Sequence, residues 1–178
     1  MKSINLIYFF LLASFISLAQ TKKETEEWIN NNINYYPVSY GNNPINVVEK
    51  IEVENGVLYF YHHWQNDNTN YYSGSWTKVN IKDIISIQYS YDKSPDLENK
   101  WINLVLNFKK GQASVRKTKH NYDSKNQNDY TTVPEQTIIT MRLNIDYEKS
   151  GMKPRMEKAL LHLIKQYGGN ASTKKDPF

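Results

Sequence analysis

Two residues, Asn55 and Gly56, constrain the fold of this chain more than any others. They separate two runs in which apolar and polar side chains alternate. An Asn-Gly pair in that position is typical of a type I′ hairpin turn, because both residues tolerate positive φ. The turn sets the register, so Val53 faces Leu58 and Glu49 faces His62. One face of the predicted hairpin therefore carries eight core residues: Val47, Glu49, Ile51, Val53, Leu58, Phe60, His62 and Trp64.

Alternation continues along the chain and predicts a mainly β fold of the α+β class with seven antiparallel strands over residues 45–146. The fourth strand is predicted to point Ile85, Ile87, Tyr89 and Tyr91 inward. Residues 120–134 lack apolar periodicity and are interpreted as a mobile loop.

Helices are predicted at both ends of this β region. Thr21 and Glu24 form a capping-box pattern, which begins a short helix over residues 22–34. An apolar stripe with Pro154 in its first turn predicts a second helix over residues 153–167, ended by Gly168-Gly169. Residues 169–178 are expected to form a disordered tail, so residues 20–168 make up the predicted domain.

The first 19 residues have the pattern of a secretory signal peptide. Lys2 precedes an apolar run, and Ser17-Leu18-Ala19 offers small residues for cleavage before Gln20. The alternative is a membrane anchor, but the run is about 15 residues long, shorter than the roughly 20 needed to span a bilayer. The mature chain is therefore expected to lack a transmembrane segment and to be secreted or periplasmic.

Cysteine is absent from the chain. This excludes disulfides, thiolate catalysis and a lipid-modified N-terminal cysteine, so the protein is not expected to be a lipoprotein. Packing alone must hold the fold, and 14 Tyr, 4 Trp and 6 Phe supply large apolar surfaces for it.

Seven strands in a four-plus-three meander followed by a C-terminal helix resemble a pleckstrin-homology-like barrel or roll. The segment from Val79 to Ile87 resembles the strand, tight turn and strand of many such domains. The chain also resembles a group of small secreted bacterial proteins of unknown function. Gly74-Ser75-Trp76 is similar to a lipocalin motif, so a lipocalin-like barrel is the alternative fold. The first resemblance implies binding of phosphoinositides, short peptides or proteins, although Glu52 and Glu54 on the first hairpin disfavour phosphoinositides.

The main candidate binding site is a basic cluster near the sixth strand, formed by Arg116, Lys117, Lys119 and His120. Together with the loop of residues 120–134 it is the predicted contact surface for a protein or small ligand, with anionic ligands favoured by its charge. The signal peptide argues against a nucleic-acid partner.

Other residue patterns leave catalytic and carbohydrate-binding alternatives open. Glu49 and His62 face each other, which is the geometry of a catalytic dyad or of a polar pair at the barrel rim. Tyr59, Tyr61 and Trp101 on predicted outer faces are interpreted either as stacking platforms for sugars or as buried rings. No spacing typical of a metal or cofactor site is present, so neither is expected.

We therefore expect a secreted or periplasmic, non-catalytic binding domain. An extracellular hydrolase or metal-dependent enzyme, and a carbohydrate- or lipid-binding module, are the alternatives.

Overall fold

A computed structural model of the chain describes residues 21–37, 45–66, 68, 71–91, 101–118, 125–126 and 128–174. Its helices are α1 (Lys22–Ile33), α2 (Asp146–Lys149) and α3 (Met152–Gln166), and a 3-10 turn covers Ile81–Asp83. Its strands are β1 (Ile45–Glu54), β2 (Val57–Asn66), β3 (Tyr71–Asn80), β4 (Ile84–Tyr91), β5 (Trp101–Phe108), β6 (Ser114–Thr118), β7 (Thr131–Thr132), β8 (Ile138–Asn144) and β9 (Ser172–Lys174). The fold is mainly β with a few helices, as the sequence predicts.

The strands form two sheets. Sheet I has the order β1-β2-β3-β6-β7, and sheet II has the order β8-β5-β4-β9. Neighbouring strands are antiparallel except β4 and β9.

This strand order differs from the predicted four-plus-three meander, because β4 pairs with β5 and β6 pairs with β3. The change of sheet occurs at the 3-10 turn, which directly follows the last β2–β3 pair, Val57 with Asn80, and precedes β4. No strand pairing among the described residues closes the two sheets into a barrel.

The first hairpin has the predicted register, with Val53 opposite Leu58 and Glu49 opposite His62. Asn55 and Gly56 both have positive φ, at 52° and 76°, as a type I′ turn requires. Most of the predicted core face is buried, whereas His62 and Trp64 at its far end are half-buried.

Helix α1 binds the free edge of β1 through two asparagines. The Asn30 side chain accepts from Val53 N–H at 2.7 Å and donates to the Val53 carbonyl at 2.8 Å. The Asn34 side chain makes the same pair of bonds with Ile51, at 3.1 and 2.7 Å. Asn30 and Asn34 are four residues apart, which is about 6 Å along a helix, and Ile51 and Val53 are two residues apart, which is about 6.6 Å along a strand. The two asparagines are therefore spaced to reach the two strand residues. The helix thus supplies the hydrogen bonds that an additional strand would supply.

One turn earlier on α1, Glu26 binds the hairpin turn. Its carboxylate accepts from Asn55 N–H at 3.2 Å and from Gly56 N–H at 2.8 Å, and Tyr167 after α3 donates its hydroxyl to the same group at 2.9 Å. The capping box at Thr21 and Glu24 is formed as predicted. The N-terminal helix therefore ties the first hairpin to the C-terminal helix.

One hydrophobic cluster includes residues from both sheets and from α1, α2 and α3. Alternate residues of β5 and β8 point into it, as the sequence pattern predicts: Ile102, Leu104, Leu106, Phe108, Ile139, Met141 and Leu143. Ile85 does not: it is 45% exposed because the β4–β5 register shifts between Ile84 and Ser86, which places Ile84 in the core instead.

The C-terminal segment also departs from the prediction. Residues 172–174, expected to be disordered, form β9 and pair in parallel with Ser86, Ile87 and Gln88. The predicted signal peptide, residues 1–19, lies outside the described residues. Within the described part of the chain, no helix is long and apolar enough to cross a membrane.

Candidate functional site

The predicted basic cluster does not form one exposed patch in the part that the structure describes. The Arg116 side chain is only 3% exposed and forms an ion pair with Asp129, with 2.5 Å between Nε and Oδ1. Lys117 is exposed, and as the next residue on the strand it points to the opposite face. Lys119 and His120 lie outside the described residues. Arg116 therefore belongs to the packed outer face of sheet I.

That outer face is a layer of stacked aromatic rings. Tyr61 packs on Trp76 with ring centroids 4.8 Å apart, and His63 packs on Tyr72 at 4.6 Å. The hydroxyls of Tyr61 and Tyr72 lie 3.2 Å apart, and the Tyr72 hydroxyl lies 3.0 Å from that of Thr118. Tyr61 and Trp76 are 2% and 6% exposed, so these rings are packing residues and not an open platform for sugars.

Gly74 allows this layer to pack. A Cβ atom at this position would lie 2.4 Å from the Thr118 hydroxyl oxygen and 2.7 Å from the Tyr72 hydroxyl oxygen. The glycine of the lipocalin-like Gly74-Ser75-Trp76 motif therefore has a local packing explanation that does not depend on a lipocalin fold.

Residues between β6 and β7 contribute charges to the same face. Lys125 binds Glu52 and lies 3.0 Å from the Glu54 carboxylate, while Lys78 lies 4.1 Å from the centre of the Tyr130 ring. Burial alone would raise the pKa of Glu52, but hydrogen bonds from Lys125 and Lys50 outweigh it and lower the pKa. These charges are therefore compensated within the fold.

Glu49 and His62 lie opposite each other as predicted, but Glu49 binds a different residue. Its carboxylate accepts from Arg142 N–H at 2.7 Å and lies 3.3 Å from Nη1 of the same residue. No hydrogen bond between Glu49 and His62 is found among the described residues. Burial raises the pKa of Glu49, and burial together with the Arg142 charge lowers that of His62. The contacts make Glu49 a bridge between β1 and the edge of β8.

The described residues contain no group of three or more His, Asp or Glu placed to hold a metal ion.

The outer face of sheet II has a different composition. We call eight uncharged side chains on it the amide face: Ser86, Gln88, Ser90, Trp101, Asn103, Val105, Asn107 and Thr140. Register places Ser90 beside Asn103, Gln88 beside Val105, and Ser86 beside Asn107, with Thr140 of β8 next to Val105. The charged Arg142 of β8 lies next to Asn103 in the same register. All except the buried Ser86 are half-buried.

Three polar atoms of the amide face are buried without a hydrogen-bond partner: Ser86 Oγ, Asn103 Oδ1 and Asn107 Nδ2. The remaining Asn103 atom, Nδ2, has only a 3.4 Å contact with Ser90 Oγ. Unpaired buried polar groups are uncommon in native proteins, so three on one face need an explanation. A bound ligand or ordered water would supply the missing partners.

Sequence reasoning placed Trp101 on an outer face but missed the asparagines beside it. The signal was present in residues 101–108, where Asn103 and Asn107 alternate with core residues on a strand. Asparagine is unfavourable in strands, so its repetition on one face is informative.

Comparison of the chain with protein-family models, with curated proteins and with solved structures finds no match.

Proposed function

We propose that this protein is a secreted or periplasmic, non-catalytic binding domain whose contact surface is the amide face of sheet II. The observation that carries the proposal is the set of three unpartnered polar atoms on Ser86, Asn103 and Asn107. Secretion rests on the pattern of residues 1–19.

The amide face is favoured over the basic cluster Arg116, Lys117, Lys119 and His120 for one reason. Arg116 is buried and already paired with Asp129, so an anionic ligand would have to break that ion pair. An enzyme using Glu49 and His62 is the weaker alternative, because Glu49 is hydrogen-bonded to Arg142. A relationship to pleckstrin-homology-like domains rests on the pattern of residues 79–87.

Native mass spectrometry tests the proposal. The full chain is produced in a bacterial host that secretes it, purified gently, and compared with the double variant Asn103→Ala/Asn107→Ala. The matched control is Asn31→Ala, which removes an exposed asparagine of α1, the helix bound to the edge of sheet I.

We expect an additional bound mass on the wild type and on the control, and its loss from the double variant. The protein mass itself reports cleavage after Ala19. A bare protein mass in all samples, or an equal bound mass on the double variant, would contradict the proposal.

A further inference from the structure

We infer that the ligand of the amide face is a neutral glycan. This inference rests on the proposed function and adds the chemical class of the ligand. It follows from the charge, the hydrogen-bonding chemistry and the shape of the face.

The low charge of the face disfavours ionic ligands. None of the eight amide-face side chains is charged, although charged residues make up 22% of the chain. Two cations are in register with them on the same side of the sheet: Arg142 lies beside Asn103, where it is paired with Glu49, and Lys174 lies beside Gln88 on the short strand β9. An anionic lipid or acidic polymer would therefore meet little compensating charge, whereas an uncharged ligand needs none.

The unpartnered atoms match hydroxyl groups. Asn103 Oδ1 can only accept, Asn107 Nδ2 can only donate, and Ser86 Oγ does both. A sugar hydroxyl also donates and accepts, so one ligand chemistry serves all three atoms. Rotation of the half-buried Asn103 and Asn107 amides about χ2, a soft torsion, brings these atoms toward a ligand on the face.

A peptide strand would use a different part of the sheet. Its backbone donors and acceptors pair with sheet edges, as in strand addition, whereas the amide face presents only side chains. The edge of β4 is already paired with β9 at Ser86, Ile87 and Gln88. The face itself is therefore better suited to a ligand that carries hydrogen-bonding groups over its whole surface.

Trp101 and Val105 supply apolar contacts for sugar rings. Trp101 is half-buried at the start of β5, and an indole ring packs well on the C–H groups of a pyranose ring. The six-residue interval from Trp101 to Asn107 spans about 20 Å, which is long enough for several linked sugars. The face thus fits a chain-like glycan lying along β5.

Isothermal titration calorimetry on the purified mature chain tests this inference. The neutral probes are amylose, glucomannan and a β-1,3-glucan; the comparison probes are alginate, which is acidic, and vesicles of phosphatidylcholine with phosphatidylglycerol. The variants are Trp101→Ala, Trp101→Phe and Asn103→Ala, and the control is Asn31→Ala. Far-UV circular dichroism establishes whether each variant is folded. If Trp101→Ala does not fold, the titrations use Trp101→Phe in its place.

We expect at least one neutral glycan to bind, with Kd raised about tenfold in Asn103→Ala, the factor that one lost hydrogen bond supplies, and by at least as much in Trp101→Ala. The control should bind like the wild type. Equal affinity of all variants, binding of alginate or vesicles alone, or no binding to any probe would overturn the inference. If a bound mass that depends on Asn103 and Asn107 persists in native mass spectrometry, only the ligand class is wrong. If that mass is also absent, the proposed function fails as well.

Discussion

The outer faces of the two sheets differ in how their polar groups find partners. On sheet I, Tyr72 joins Tyr61 and Thr118 in a chain of hydroxyls, and Arg116 is paired with Asp129. On the amide face of sheet II, Ser86, Asn103 and Asn107 each keep a polar atom without a partner. On the outer face of sheet I, His63 Nε2 is also buried without a partner, so among the described residues the two faces differ in the number of such atoms and not in their presence. Side chains alternate in the same way on both sheets, so alternation alone does not separate a packed face from a binding face.

The largest expected difference between the faces concerns their tryptophans. Trp76→Ala should lower the free energy of unfolding by about 3–5 kcal/mol, because a nearly buried ring is removed from a packed layer. Trp101→Ala on the half-buried amide face should cost about 1 kcal/mol. Urea unfolding followed by far-UV circular dichroism measures both, and equal losses would mean that the two faces are equally packed.

A pair of asparagines sharpens the same comparison. Asn34→Ala removes two hydrogen bonds to the backbone of Ile51 and should cost about 1–3 kcal/mol. Asn103→Ala removes one long contact with Ser90 and should cost about 0.5 kcal/mol or less. The same unfolding measurement applies, and a larger loss for Asn103 would assign the amide face a structural role.

Acid should weaken the outer face of sheet I through His63. Burial lowers the pKa of this imidazole in the folded state. Its contribution is therefore fully present above the ordinary pKa of about 6.5 and is lost as pH falls through the lower folded value. His63→Phe keeps a ring beside Tyr61 and Tyr72 but cannot be charged, so its stability should fall less between pH 7.5 and pH 5. The stability difference between wild type and His63→Phe above pH 7.5 is the internal reference. If the free energies of unfolding of the two proteins fall in parallel as pH decreases, this account is wrong.

The smallest expected change in stability involves Glu49, which joins β1 of sheet I to β8 of sheet II. Its pH dependence has the opposite sign to that of His63. Burial raises the folded-state pKa of Glu49, so its contribution is present below the ordinary pKa and is lost as pH rises through the raised value. Glu49→Gln should therefore gain stability relative to the wild type as pH increases from 4 to 7. Thermal unfolding across this range measures the trend, and a relative loss for the variant would show that pairing with Arg142 outweighs burial.

Much of the local structure was predictable. The Asn55-Gly56 turn predicted the β1–β2 register because two-residue turns permit few strand alignments. The Thr21 and Glu24 pattern predicted the start of α1 because both capping bonds are local. The prediction for Ile85 was wrong because a bulge changes which residue points inward without changing the residue pattern.

The sequence by itself determined the long strands, the first turn and the amphipathic faces of the two long helices, because these depend on neighbours along the chain. It did not predict the short strands β7 and β9, which lie in segments expected to be a loop and a disordered tail. Only the tertiary structure decided that β6 pairs with β3, that Glu49 binds Arg142, and that Arg116 is buried beside Asp129. Such contacts join residues far apart in sequence, and an alternating strand satisfies its own pattern equally well beside several partners. The amide face was determined at both levels: its residues are local to β4, β5 and β8, but their unpartnered atoms came together only through pairing of those strands.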